Sequence, residues 1–253
     1  DESHNQEIQE IKNNIIKPEQ QLKQESINDD YFYTENPQWN DTDHFHYEDN
    51  NSDKRTIIFS GMGGNNQPPT FIFYNLLKSY TCDKLFIRDL SYTWFLNNTN
   101  FGNGQENNFK NMLKFLNDFK KERHKKIYTI GCCAGGYAAI LYGHYLNVDK
   151  CIAFAPQTCL TLEKKKEMND DRWIKNCEIV EKQVDSKLLL LSNLIPFNMH
   201  TNLYFSNDLD ELHSREIKHT ETNLIKIGEK NHLTALMMKK NGMLKIVIDR
   251  LLL

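Results

Sequence analysis

The stretch from Ile127 to Leu146 constrains the fold most. An apolar run without alternation, Ile127-Tyr128-Thr129-Ile130, stops at Gly131-Cys132-Cys133-Ala134-Gly135-Gly136 and gives way to an alanine-rich segment from Tyr137 to Leu146. Such a run predicts a strand buried on both faces, and the alanine-rich segment predicts a helix packed tightly against it. The same texture recurs along the chain. Thr56-Ile57-Ile58-Phe59, Lys84 to Arg88, Cys151 to Ala155, Leu203 to Phe205 and Leu224 to Ile227 read as strands. Between and after them, Phe71 to Leu77, Phe109 to Phe119, a charged stretch from about Leu160 to Leu191, and Met243 to Leu252 read as helices. In the second of these, Phe109, Met112, Leu113, Leu116 and Phe119 recur at intervals of three and four, which marks an amphipathic helix. Strands alternating with helices over this length predict an α/β domain with a mostly parallel central sheet flanked by helices on both faces.

The organisation is that of one domain with an appendage. Residues 1–30 are rich in Gln, Glu, Asn and Lys with sparse apolar positions, and are expected to form a polar N-terminal arm or surface helix. Residues 31–253 are expected to form the domain, with Tyr31-Phe32-Tyr33 and Phe45-His46-Tyr47 as two short strands of a meander and 158–196 as an irregular helical insert suited to a lid. A net charge of −3 gives no reason to expect nucleic acid. No apolar run approaches the ~20 residues that span a bilayer. Six scattered cysteines match neither a disulfide framework nor a metal knuckle, so a reducing, cytoplasmic setting is expected, with no metal and no organic cofactor. The sequence opens on Asp1 rather than Met, which leaves room for a targeting segment removed ahead of it.

The glycine turn has the form of a nucleophile elbow, G-x-Nuc-x-G, with cysteine where serine is commoner. The central residue of such a turn is strained, and its neighbours two positions away must be small; Gly131 and Gly135 meet that need around Cys133. The helix start then directs free N–H groups and a positive dipole end at the sulfur, which favours thiolate. The plain alternative is a glycine-rich turn holding two inert, buried cysteines. A P-loop fits less well, because no Lys-Ser/Thr pair follows the glycines. A second cluster, Ser60-Gly61-Met62-Gly63-Gly64, follows the first buried strand, and three glycines in four positions suggest backbone meeting a ligand.

From Arg55 to the C-terminus the chain resembles the α/β-hydrolase superfamily. Its elbow is similar to the cysteine elbows of dienelactone hydrolases and polyhydroxyalkanoate synthases, although neither subfamily is matched outside the elbow. The superfamily resemblance implies the chain order nucleophile, acid, histidine, with the acid after a late strand and the histidine after the last one. Gly228-Glu229-Lys230-Asn231-His232 follows the last predicted strand, so His232 takes the place of the general base. Ser206-Asn207-Asp208-Leu209-Asp210 follows the strand before it, offering Asp210, with Asp208 as the alternative acid; either could instead cap the helix that starts there. The implied oxyanion hole comes from the N–H groups of Ala134 and Met62, with Gly61 and Gly63 beside the substrate. Trp94, which follows the strand Lys84 to Arg88 on the same edge of the sheet, could line the substrate pocket, although surface packing explains it equally well.

Cys132 is expected to pack on the opposite side of the strand from Cys133, and the run Glu163-Lys164-Lys165-Lys166-Glu167 is expected to be a solvated helix face. A thiolate nucleophile suits activated carbonyls, and because thiolate also leaves well, the acyl group can pass to water or to another acceptor. The sequence therefore predicts a hydrolase acting on an ester or thioester of a small-molecule or acylated substrate. An acyltransferase or cyclase on the same site, and a silent hydrolase-fold binding module, remain as alternatives. A single sequence also leaves open whether cysteine or serine is the original residue at 133.

Overall fold

A computed structural model of the protein describes residues 44–62, 69–97, 108–228 and 231–253. The expected arm over 1–30, the expected strand Tyr31–Tyr33 and the expected site residue Gly63 lie outside them.

Among the described residues, seven strands form one sheet: β1 (Phe45–Glu48), β2 (Lys54–Phe59), β3 (Asp83–Ile87), β4 (Lys126–Cys132), β5 (Lys150–Phe154), β6 (His200–Phe205) and β7 (Thr222–Lys226), in the order β1-β3-β2-β4-β5-β6-β7. Only β1 runs antiparallel, against β3; every other neighbouring pair is parallel. The predicted α/β class with a mostly parallel sheet is the one observed. Parallel strands need crossovers, and these supply α1 (Tyr74–Leu77), α2 (Asn108–Asp118), α3 (Ala134–Leu146), α4 (Leu162–Glu167), α5 (Ile174–Gln183) and α6 (Asp208–Glu216); α7 (Thr234–Lys240) and α8 (Met243–Leu252) follow the last strand.

Both faces of the sheet are covered, which explains why the strand sequences lack a polar alternate. Within β2, Ile57 and Phe59 join a core shared with α2, α3 and the insert, whereas Ile58 joins a second core shared with α7 and α8. The region read as a helix from Phe71 to Leu77 is helical only over Tyr74–Leu77. Phe71, Ile72 and Phe73 instead cross the sheet face as buried apolar cover, so their apolar run reflects burial and not helical periodicity. The closing helix is preceded by α7, which the sequence reading did not separate from the loop before it.

The charge run over 163–167 corrects an expectation. It does form α4, but Lys165 is fully buried, its Nζ donating to Asp170 Oδ2 at 2.8 Å. A lysine run reads as solvated until a buried carboxylate, here five residues on, is placed beneath one member. Among the described residues, no helix is long and apolar enough to cross a membrane.

The chain passes from β2 outward to β3, then back across β2 to β4. The strand order therefore reverses between β2 and β4, and in open parallel sheets the crevice beyond the carboxyl ends of two such strands is where ligands bind. Ser60 and Gly61 follow the end of β2, and the elbow glycines lie at the end of β4.

Candidate active site

Cys133 is the residue between β4 and α3, and its backbone is strained: φ is 52° and ψ −117°. A non-glycine residue held in such a region costs about 1–3 kcal/mol and persists only where its surroundings fix it. The surroundings here are specific. The Cys133 N–H donates to the Phe154 carbonyl on the neighbouring strand at 2.9 Å. A Cβ on Gly131 would fall 2.0 Å from the Gly135 carbonyl oxygen, and one on Gly135 would fall 2.1 Å from that of Phe59. Both glycines are therefore demanded by backbone-to-backbone contact across the turn. A Cβ on Gly136 would meet Pro156 at 3.1 Å, so the third glycine lets α3 start close to the end of β5.

The two adjacent cysteines occupy different environments. Cys132 packs against the core on the α7–α8 face, and burial, reinforced by the charge of neighbouring Cys133, pushes its thiol well above the ordinary range. Both cysteines keep some exposed surface, and none of the six cysteines is in a disulfide.

His232 lies in the loop between β7 and α7. That loop is tied down by Ser206 at the end of β6, whose hydroxyl contacts the Asn231 carbonyl and lies 2.9 Å from Thr234 Oγ1. The imidazole Nδ1 sits 2.8 Å from Asp210 Oδ2 and 3.0 Å from Oδ1, so Nδ1 carries the proton and donates. A ring has two nitrogens, and with Nδ1 committed to Asp210 the other, Nε2, is left for proton exchange. Burial pulls the imidazole pKa down. The Cys133 charge and the hydrogen bonds to Asp210 and Cys133 outweigh it and raise the value to about 10.

Asp210 is fully buried in the first turn of α6, and Asp208 points away, with a side chain 73% exposed and its nearer oxygen 3.5 Å from Lys226 Nζ. Neither caps the helix. The cap is Asn207, whose Oδ1 accepts from the Asp210 N–H at 2.7 Å while its Nδ2 donates to Asp210 Oδ2 at 2.6 Å. One residue thus starts the helix and orients the carboxylate. The sequence carried a usable signal for it, since Asn is as good an N-cap as Asp.

Gly61 is adjacent to the elbow: a Cβ there would lie 3.2 Å from the Cys132 carbonyl oxygen and 3.8 Å from Cys133 Cβ. Met62 follows it, partly buried against the core. Ala134 is the first residue of α3, where an N–H has no intrahelical acceptor. Trp94, expected beside the substrate, is instead enclosed in the core with no exposed surface, its indole N–H donating to Gln157 Oε1 at 2.9 Å. An aromatic after a strand on the correct edge was an ambiguous signal, and packing took it.

Arg172 was not anticipated. It comes from the turn between α4 and α5, and its Nη1 donates to Asp210 Oδ1 at 2.9 Å and lies 3.0 Å from His232 Nδ1. Asp170 holds it there, accepting from Arg172 Nε at 2.8 Å and Nη2 at 3.1 Å. Nothing local distinguishes this arginine from others in a charged insert; only the folded chain places it. Among the described residues, no group of three or more His, Cys, Asp or Glu side chains is arranged to hold a metal ion.

No protein-family model matches the sequence, and no curated protein matches it significantly. Solved structures do match in fold. The capsule O-acetyltransferase of Neisseria meningitidis serogroup A is 16% identical with a TM-score of 0.57, covering 81% of this chain and 90% of that one. A mutant of the same protein in complex with CoA matches with a TM-score of 0.59. Alpha/beta hydrolase domain-containing protein 10 from mouse is 13% identical with a TM-score of 0.53, covering 82% of this chain and 92% of that one. A lipase-esterase related protein from Clostridium acetobutylicum is 15% identical with a TM-score of 0.51, covering 82% of this chain and 99% of that one. At these identities the likeness is one of architecture, and that architecture is the α/β-hydrolase fold.

Proposed function

With the α/β-hydrolase fold as premise, we propose that the protein is an enzyme that cleaves an ester or thioester through an acyl-enzyme on Cys133. The observation that carries this reading is the His232 imidazole, held through Nδ1 by the buried Asp210 carboxylate at 2.8 Å, with the strained Cys133 near enough that its charge raises the imidazole pKa. The thiolate sulfur attacks the carbonyl carbon, and the oxyanion that forms takes hydrogen bonds from the N–H groups of Ala134 and Met62. As the tetrahedral species collapses, the carbon–heteroatom bond breaks and the imidazolium gives its Nε2 proton to the departing alcohol or thiol. The neutral imidazole then removes a proton from water, whose oxygen attacks the thioester; collapse releases the carboxylic acid and restores the thiolate–imidazolium pair. Asp210 keeps Nδ1 protonated throughout, so that Nε2 is always the nitrogen that exchanges protons.

Strain at Cys133 supports the reading, because a buried structural cysteine needs no such backbone. The first turn of α3 adds unpaired N–H groups aimed at developing negative charge. A silent binding module has no chemical need of a strained elbow or of a buried carboxylate orienting a partly exposed imidazole.

A second reading keeps the site and changes the acceptor. The likeness to a capsule O-acetyltransferase, one structure of which holds CoA, favours transfer of an acyl group from a thioester donor to a hydroxyl. Pre-steady-state kinetics with p-nitrophenyl acetate separate the two. A hydrolase shows a burst followed by steady turnover in water alone. A transferase shows a burst that stalls until an alcohol or amine is added. Absence of any burst, with a rate unchanged in Cys133→Ala, would remove both.

A further inference from the structure

Arg172 has no part in the steps above, yet it touches the acid and the imidazole together. The guanidinium is built into place. Asp170, fully buried, accepts from five donors: the Arg172 backbone N–H at 3.0 Å, Arg172 Nε at 2.8 Å, Arg172 Nη2 at 3.1 Å, Lys165 Nζ at 2.8 Å and His213 Nε2 at 2.9 Å. His213 is itself fixed, its Nδ1 accepting from the Thr158 N–H at 3.2 Å, so Nε2 is the protonated nitrogen. The turn that carries Asp170 and Arg172 is bracketed by two non-glycine residues at positive φ, Asn169 at 53° and Trp173 at 59°. With Nε and Nη2 committed to Asp170, Nη1 is directed at Asp210 Oδ1, the same oxygen that lies 3.0 Å from His232 Nδ1.

Two donors therefore share one carboxylate, Arg172 on Oδ1 and His232 across both oxygens, and both are cations when His232 is protonated. A carboxylate shared with a permanent cation attracts an imidazolium less than one that is not, and a guanidinium 3.0 Å from Nδ1 repels it directly. We infer that Arg172 is a positioning residue for the acid–imidazole pair, a cation delivered by the insert that shares Asp210 with His232 and keeps the imidazolium from settling on the carboxylate so firmly that it no longer gives up its proton. The inference rests on the acyl-enzyme reading of Cys133, His232 and Asp210. Among the described residues, the titratable and charged groups that face His232 are Cys133 from the elbow, Asp210 from α6 and Arg172 from the insert, with Asp170 and Lys165 behind Arg172.

The test is the NMR titration of the His232 imidazole in labelled protein, assigned with His232→Gln. It is compared in wild type, Cys133→Ala, and Cys133→Ala carrying Arg172→Gln or Arg172→Lys. Wild type titrating well above Cys133→Ala establishes the thiolate–imidazolium pair; equal midpoints would sink the acyl-enzyme reading itself. Given that pair, Arg172→Gln in the Cys133→Ala background is expected to raise the midpoint by about 0.5–1 pH unit. Arg172→Lys, which keeps the charge, is expected to leave it close to the Cys133→Ala value. An unchanged or lowered midpoint in Arg172→Gln, or an equal rise in Arg172→Lys, would overturn the role given to Arg172 while leaving the acyl-enzyme reading intact. Asp170 keeps Lys165 and His213 as partners when Arg172 is changed, so the fold should survive; Arg172→Met, which preserves the apolar stem, replaces the Gln variant if it does not.

Discussion

Asp210 and Asp208 stand two residues apart at the head of α6 and differ in burial, partners and direction. Asp210 is enclosed and bonded to His232, Arg172 and Asn207, whereas Asp208 is exposed on the far side. Asp210→Asn should therefore lower turnover of p-nitrophenyl acetate by about 10²–10⁴-fold, through loss of the imidazole's fixed tautomer. Asp208→Asn should change it less than about twofold, as surface substitutions away from a site do. Comparable losses in both variants would remove Asp210 from its proposed role. At this scale the sequence was legible where chain order and turn chemistry agree. Cys133 is announced by its glycines, and His232 and Asp210 by their place after strands. It was silent where a residue acts through a tertiary partner. Arg172 and the buried Lys165 sit in a charged stretch whose composition says only that it is polar, and Trp94 had two explanations that burial alone could separate.

The elements carry the same lesson in backbone terms. Strands β2 to β7 were visible as apolar runs because a sheet covered on both faces leaves no polar alternate. The observed strands reach one to three residues beyond those runs, as in β4 and β6, because hydrogen-bonded pairing continues past the last apolar side chain. Helix α1 was overread for the converse reason: its three preceding residues are apolar and buried without being helical. The turn between β4 and α3 offers an element-scale prediction. Gly131→Ala and Gly135→Ala each place a Cβ within about 2 Å of a backbone carbonyl oxygen, where no side chain can move aside. Each should cost about 3 kcal/mol or more in denaturant unfolding, or prevent folding. Gly228→Ala, with nothing within 4 Å of its Cβ, should fall within about 0.5 kcal/mol of wild type. Equal effects at the three positions would mean that the elbow is not as tightly closed as described.

For the whole molecule, the reversal of strand order brings the β2 and β4 turns together, and β6 and β7 deliver the acid and the imidazole to the same edge. The insert is anchored across this edge: Tyr137 of α3 donates its hydroxyl to the Leu188 carbonyl, Thr158 Oγ1 donates to the His213 carbonyl at 2.7 Å, and Arg172 reaches Asp210. The lid expected over 158–196 is, in its described contacts, a braced part of the domain. That bracing is pH-sensitive. Burial holds His213 below its ordinary value of 6.5 even though Asp170 pulls it up, so the folded state keeps it neutral while the unfolded chain takes up a proton. His144 and His219 are shifted the same way by burial. The stability that His213 contributes should therefore be full above pH 6.5 and decline as the pH falls below it, with the loss of the Asp170 carboxylate following at still lower pH, whereas His232, raised to about 10, acts in the opposite sense as the pH rises above 6.5. Thermal melts between pH 7.5 and 5 should show a falling Tm whose slope is shallower in His213→Gln; an identical slope would exclude His213 as a contributor. The central claim, that a strained sulfur accepts an acyl group, is tested most directly by peptide mapping after brief exposure to p-nitrophenyl acetate and acid quench. The account predicts one acetyl group on Cys133, absent from Cys132 and strongly reduced in His232→Gln. Acetylation of Cys132 in preference, or of neither cysteine, would contradict it.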